Sequence, residues 1–159
     1  MVTVAARGGR KVSVAGMAAY RPGHRSRLIY RVLAHRGRKS DPKGFGEDHF
    51  AALLDAAHQQ LGGPIILVWD GLPAHRSARM RRLTAARRWL RVYQLPGYAP
   101  ELNPTENVWS NLERGMANLA AGRIDDLIRI TKNRLKRMQY QPDLVDGFLA
   151  ATGLAPPRP

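Results

Sequence analysis

The chain contains no cysteine. Disulfides, thiolate zinc sites, iron–sulfur clusters and cysteine nucleophiles are therefore excluded, and the redox compartment is left open. Acid is scarce as well: 12 Asp and Glu stand against 26 Lys and Arg, a formal net charge of +14 at pH 7 over 159 residues. Such a balance points away from small-metabolite enzymes and toward a polyanionic partner. Aromatics make up only 7%, and no base-stacking motif accompanies them, which counts against an RNA-binding protein. No apolar run approaches the roughly 18 residues that a membrane span requires. The opening stretch MVTVAARGGRK has no apolar segment of the length a secretory signal needs. No basic amphipathic helix with an aromatic face stands out either, so nucleic acid is favoured over a membrane surface.

What is present supports one domain. A hydrophobic content of 44% is enough for a single core in a chain of this length. Residues 1–150 are expected to form it, and the Pro-rich end ATGLAPPRP, residues 151–159, is expected to be a disordered tail. The positive charge is uneven. Residues 1–40 hold ten Lys and Arg and no acid, and residues 71–100 hold seven Arg and no acid. The guanidinium fork suits phosphate oxygens better than an ammonium does.

Residues 11–20, KVSVAGMAAY, and 27–34, RLIYRVLA, read as two strands joined by the Pro-Gly turn RPGHR. After a Gly- and Pro-rich loop, Phe50, Leu53, Leu54, Ala57 and Leu61 recur at helical spacing over 47–61, and Gly62-Gly63-Pro64 ends that helix. The run PIILVWD, residues 64–70, is too short for a helix and reads as a strand buried on both faces. A helix over 75–88 and a strand over 89–95 follow, which implies a parallel crossover. Helices are expected over 104–119 (Val108, Trp109, Leu112, Met116 and Leu119 inward) and 124–138. The sum is an α/β fold with a mixed sheet flanked by helices.

Two acids stand out. Asp70 ends the apolar strand, and ligands of open α/β sheets bind outside the carboxyl ends of strands. The plainer reading, a turn or cap acid before the next helix, weighs equally. Glu106 follows Asn103-Pro104-Thr105, an arrangement that also suits a capping box. If the two converge, a carboxylate pair in a basic groove has one evident use, holding a divalent cation such as Mg²⁺ against phosphate. Glu101 reads as a solvated loop acid and Asp55 as an exposed mid-helix charge. Glu113 lies seven positions past Glu106, roughly 10 Å along the helix. Glu47 and Asp48 suit a helix start. His75 could touch a phosphate, although a surface histidine is the simpler reading. Arg76, Arg79, Arg81 and Arg82 are the expected phosphate contacts.

The blocks ILVWDGLPAH and LPGYAPELNPTENVWSNLE resemble the DDE transposases, in particular the bacterial insertion-sequence branch of the mariner superfamily. That family carries an Asp at the end of a buried strand and, about 35 residues on, a LPxYxPxLNPxExxW signature with a catalytic Glu. Here Asp70 and Glu106 are 36 positions apart, and the signature falls on Leu95, Pro96, Tyr98, Pro100, Leu102, Asn103, Pro104, Glu106 and Trp109. The resemblance implies a ribonuclease H-like fold and metal-dependent DNA cleavage and strand transfer. It further implies Asp70 and Glu106 as catalytic metal ligands, and Mg²⁺ or Mn²⁺, two ions in a complete site.

The chain also departs from the pattern. The family uses three carboxylates, the first on a strand before the hairpin, and this chain has no acid before Asp41. Gly71 stands where such proteins often carry Asn. The expectation is therefore a catalytic core lacking its first strand and its end-recognition domain, inactive or weakly active alone. Its expected partners are DNA, the absent N-terminal portion, an intact transposase subunit or a second copy, and its expected place is the bacterial cytoplasm at the nucleoid. The alternative is a non-enzymatic basic DNA-binding protein that inhibits transposition.

Overall fold

The Pro-Gly turn at the centre of the expected hairpin closes on a hydrogen bond from His24 N–H to the Arg21 carbonyl, 3.0 Å. Pro22 supplies the fixed φ of the second position, and Gly23 takes φ 72° at the third, which a side chain there would resist. The computed structural model describes residues 1–5, 10–42, 44–97, 99–116 and 123–154. The strands flanking the turn are long, β2 (Lys11–Ala19) and β3 (Arg27–His35), and pair antiparallel from Lys11↔His35 to Ala19↔Arg27. A strand that sequence reading passed over, β1 (Val2–Ala5), pairs antiparallel with the other edge of β2, Val2↔Val14 to Ala5↔Lys11. Its alternation, VTV, is too short to stand out from a loop without its partner.

The chain divides into two compact units, residues 1–45 with 104–159 and residues 46–103. In the first, the three-stranded sheet packs with α4 (Pro104–Arg114), α5 (Ile124–Gln139) and α6 (Pro142–Ala150). Val12, Val14 and Leu28 from the sheet meet Val108, Leu112, Leu135 and Val145 from the helices, all fully buried. Trp109 lies over Gly16, where a Cβ would come within 3.1 Å of its ring and 3.0 Å of the Ile29 carbonyl. Gly16 is therefore the notch that admits the indole. The expected inward positions of α4 and α5 are met at Val108, Trp109, Leu112, Ile124, Leu127, Leu135 and Met138. Leu119 and residues 155–159 of the expected tail lie outside the described residues.

Helix α6 was not expected. It begins at Pro142 and buries Val145 and Phe148, and it is tied to the hairpin by polar contacts. Tyr20 donates to the Val145 carbonyl at 2.9 Å, and Ser26 donates to Asp146.

The second unit contains α1 (Glu47–Leu61), β4 (Ile65–Trp69), α2 (Pro73–Arg76), α3 (Ala78–Ala85), β5 (Leu90–Gln94) and a 3₁₀ turn at Pro100–Leu102. Helix α1 has the expected bounds and ends where Gly62 turns left-handed at φ 66°, the conformation glycine adopts most cheaply. Strands β4 and β5 pair in parallel, Ile65↔Leu90 to Trp69↔Gln94, so the crossover holds. The single helix expected over 75–88 is two helices, because Ser77 breaks the run and caps the second, its side chain accepting from Met80 N–H at 3.0 Å. The strand expected to be buried on both faces is not. Ile65 and Leu67 are buried, whereas Ile66 is 72% and Val68 54% exposed. An all-apolar run cannot reveal that only one of its faces is covered.

Candidate functional site

Asp70 follows directly on β4, where the strand's ladder ends. Its Oδ1 accepts from the Leu72 backbone N–H at 3.2 Å and meets His75 Nδ1 at 2.8 Å. His75 Nδ1 also lies 3.2 Å from the Asp70 backbone carbonyl. The carboxylate is 32% exposed. Burial pushes its pKa up, but the bonds from His75 and the Leu72 N–H outweigh that and hold it below the ordinary carboxylate value. A carboxylate held in this way is charged at neutral pH, which is the state that an oxygen donor to a hard cation needs.

His75 is the residue sequence reasoning misplaced. The expected surface histidine is buried at 8% exposure. Its ring stacks on Trp69, centroids 4.2 Å apart and planes 3° from parallel, and meets the Phe50 ring edge-on at 4.7 Å and 77°. The four-residue helix α2, with Pro73 at its start, turns His75 back toward the strand end. The one signal in the sequence was the short interval from Asp70 to His75 with a proline between.

The arginines beside it remain at the surface. Arg76, Arg79, Arg81 and Arg82 are all exposed. Arg79 is engaged with both oxygens of Asp48 at 2.7 and 2.8 Å, and Arg81 donates to the Arg76 carbonyl at 2.7 Å. The Arg76 guanidinium approaches Gly71: a Cβ added at Gly71 would lie 3.9 Å from its Nε and Cζ. Arg87, by contrast, is 16% exposed and grips Asp55 with two 2.7 Å bonds. Asp55, expected to be a free surface charge, is thus a structural partner, and Arg87 holds its carboxyl below the ordinary value.

Glu106 sits in the first turn of α4 and is half-buried. Asp70 belongs to the second unit and Glu106 to the first. Pro96 precedes the 3₁₀ turn that Pro100 opens, Asn103 closes that turn with its N–H on the Pro100 carbonyl at 3.0 Å, and Pro104 begins α4. Trp109 is core. Tyr98 lies outside the described residues. Several other acids have structural duties: Asp41 accepts from the backbone N–H groups of Arg36 and Arg38, Asp125 pairs with Arg36 at 2.8 Å, and Asp126 pairs with Arg129. Glu101 is exposed, as expected, and Glu113 is exposed too. Among the described residues no group of three or more His, Asp or Glu gathers to hold a metal, and no helix is long and apolar enough to cross a membrane.

The sequence model of a family described as DDE superfamily endonuclease matches residues 8–128. The fold is similar to that of the Mos1 transposase catalytic domain. One structure of that domain, with raltegravir and Mg, has TM-score 0.57 and 13% identity, covering 96% of this chain and 80% of that one. A second, with raltegravir and Mn, has TM-score 0.51 and 13% identity, covering 89% and 82%. The fold is accordingly the mixed α/β, ribonuclease H-like one. No curated protein sequence matches the chain.

Proposed function

Because the chain belongs to the DDE superfamily endonuclease family, we propose that it is the catalytic core of a DNA transposase that cuts and joins phosphodiester bonds with a divalent metal. The observation that carries this is Asp70. It is an ionised, part-exposed carboxylate at the end of a parallel strand, one oxygen fixed by two donors, inside the matched segment. Glu106, in the same segment and in the helix that follows the signature prolines, is its proposed partner. Both are hard oxygen donors of the kind Mg²⁺ and Mn²⁺ take. The relatives of this fold were solved with those two ions.

Asp70 and Glu106 would hold the metal. Bound there, it would supply charge for the attacking and leaving oxygens of the phosphodiester exchange, two ions sharing the task in a complete site. The chain's other residues bind and orient DNA. Arg76, Arg79, Arg81 and Arg82 offer guanidinium groups to phosphates, and the exposed Arg79–Asp48 pair can exchange its carboxylate for a phosphate at little cost. The third carboxylate of the family pattern has no counterpart on β1, β2 or β3, which carry no acid. We therefore expect weak cleavage from this chain alone and stronger cleavage when a segment supplying that acid is added.

A DNA nicking assay with Mg²⁺ or Mn²⁺, with and without such a segment, tests the reading. Loss of nicking in Asp70→Asn and in Glu106→Gln, with DNA binding retained, is the expected result. Nicking indifferent to both substitutions would overturn it. The net charge of +14 supports a second reading, a basic DNA-binding protein that blocks transposition. That reading predicts steeply salt-dependent binding and no metal-dependent cutting under any condition.

A further inference from the structure

His75 lies where sequence reasoning looked for a DNA contact, but its surroundings describe a different task. The imidazole is packed between the Trp69 face and the Phe50 edge and is almost out of solvent. It cannot swing outward to a phosphate without vacating that slot. Its Nδ1 faces two oxygens of one residue, Asp70 Oδ1 at 2.8 Å and the Asp70 carbonyl at 3.2 Å. A backbone carbonyl only accepts, and Oδ1 already accepts from the Leu72 N–H. Nδ1 must therefore carry the proton and donate.

The Leu72 N–H bonds Oδ1 at 3.2 Å, and His75 Nδ1 comes to the same oxygen at 2.8 Å. The carboxylate is thereby held in one orientation against the end of its own strand, and the ring that holds it is itself fixed by two aromatic neighbours. We propose that His75 is a positioning residue that sets the Asp70 carboxylate for a divalent cation, using Nδ1–H as the donor and Trp69 and Phe50 as its support. The inference rests on the reading of Asp70 as a metal ligand. Its physical basis is preorganisation: a ligand already held in its binding orientation loses less freedom when the ion arrives. Groups that orient a metal ligand in this way are typically worth about 10- to 100-fold in metal affinity.

The test uses the full chain and Mn²⁺ as the probe, with free Mn²⁺ followed by electron paramagnetic resonance. Three variants are compared with the parent. His75→Phe keeps a ring in the aromatic slot and removes the donor. His75→Asn returns an N–H close to the position of Nδ1. Asp70→Asn removes the charge of the carboxylate. The expected result is a Mn²⁺ affinity about 10-fold or more weaker in His75→Phe, largely restored in His75→Asn, and lost in Asp70→Asn. Thermal unfolding without metal should separate none of the histidine variants in that order.

If His75→Phe binds Mn²⁺ like the parent while Asp70→Asn does not, His75 is packing alone and the inference is wrong, with the Asp70 reading intact. If Asp70→Asn binds Mn²⁺ unchanged, the Asp70 reading fails and takes the inference with it. Should His75→Phe not fold, the imidazole nitrogen spectrum of the unaltered chain decides. A protonated Nδ1 is required, and a ring protonated at Nε2 alone would overturn the proposal.

Discussion

The two units of the chain are stabilised in different ways. The first has nine-residue strands, three helices against its sheet and a set of fully buried aliphatic side chains. The second has two five-residue strands, and one face of that ribbon shows Ile66, Val68 and Tyr93, the last 61% exposed. A two-stranded ribbon has little stability of its own. The second unit leans instead on α1 and α3 and on the Arg87–Asp55 grip between α1 and the turn after α3. The lesson is that Asp70 and His75 stand on the more lightly built unit, so their geometry depends on local support from Trp69 and Phe50 rather than on a deep core.

Trp109→Ala should have the largest effect on this contrast. It empties the space above Gly16 and should cost about 3–5 kcal/mol, read as a lower urea midpoint. Amide exchange should accelerate first in β2 and β3. Equal acceleration in β4 and β5 would mean the units open together and would erase the distinction.

Arg87→Ala should have a middling effect, about 1 kcal/mol, since its partner Asp55 is half exposed and water screens the pair. The same pair gives a pH signature. Asp55 and Asp70 both have carboxyl pKa values lowered by folding. Their stabilisation is complete above the unfolded value near pH 4 and is lost as pH falls through the lower folded values. Urea midpoints followed downward from neutral pH should therefore drop on the acid side, and Asp55→Asn should flatten that drop. An unchanged acid limb in the variant would show that the grip contributes nothing.

Ile66→Thr and Val68→Thr should have the smallest effect, within about 0.5 kcal/mol, as expected for exposed positions. They should also reduce self-association in low salt, since exposed apolar patches drive it. A loss above about 1 kcal/mol would show that this face is covered in solution.

Legibility followed the range of the signal. The helix over 47–61 was readable to the residue because its apolar spacing, its acidic first turn and Gly62 are all local. The β2–β3 hairpin was readable from Pro22-Gly23 and its flanks. Strand β1 was missed because three alternating residues carry no signal until a partner edge is known. The break at Ser77 was missed because a cap inside an arginine-rich run resembles any helix serine. The position of Asp70 at a strand end was readable from the apolar run before it. The burial of His75 was not found, because nothing local distinguishes a histidine over a tryptophan from one in water.

The order of types along the chain determined the charge, the parallel crossover, the helix starts at Glu47, Pro104 and Ile124 and the acids worth testing, since each is set by neighbours within a few positions. Only folding decided which face of β4 is covered, which arginines are spent on acids and which atom of His75 meets Asp70. Those outcomes depend on side chains brought together by the turns of α2 and the strand end, and on the desolvation that follows, and no short stretch of sequence contains them.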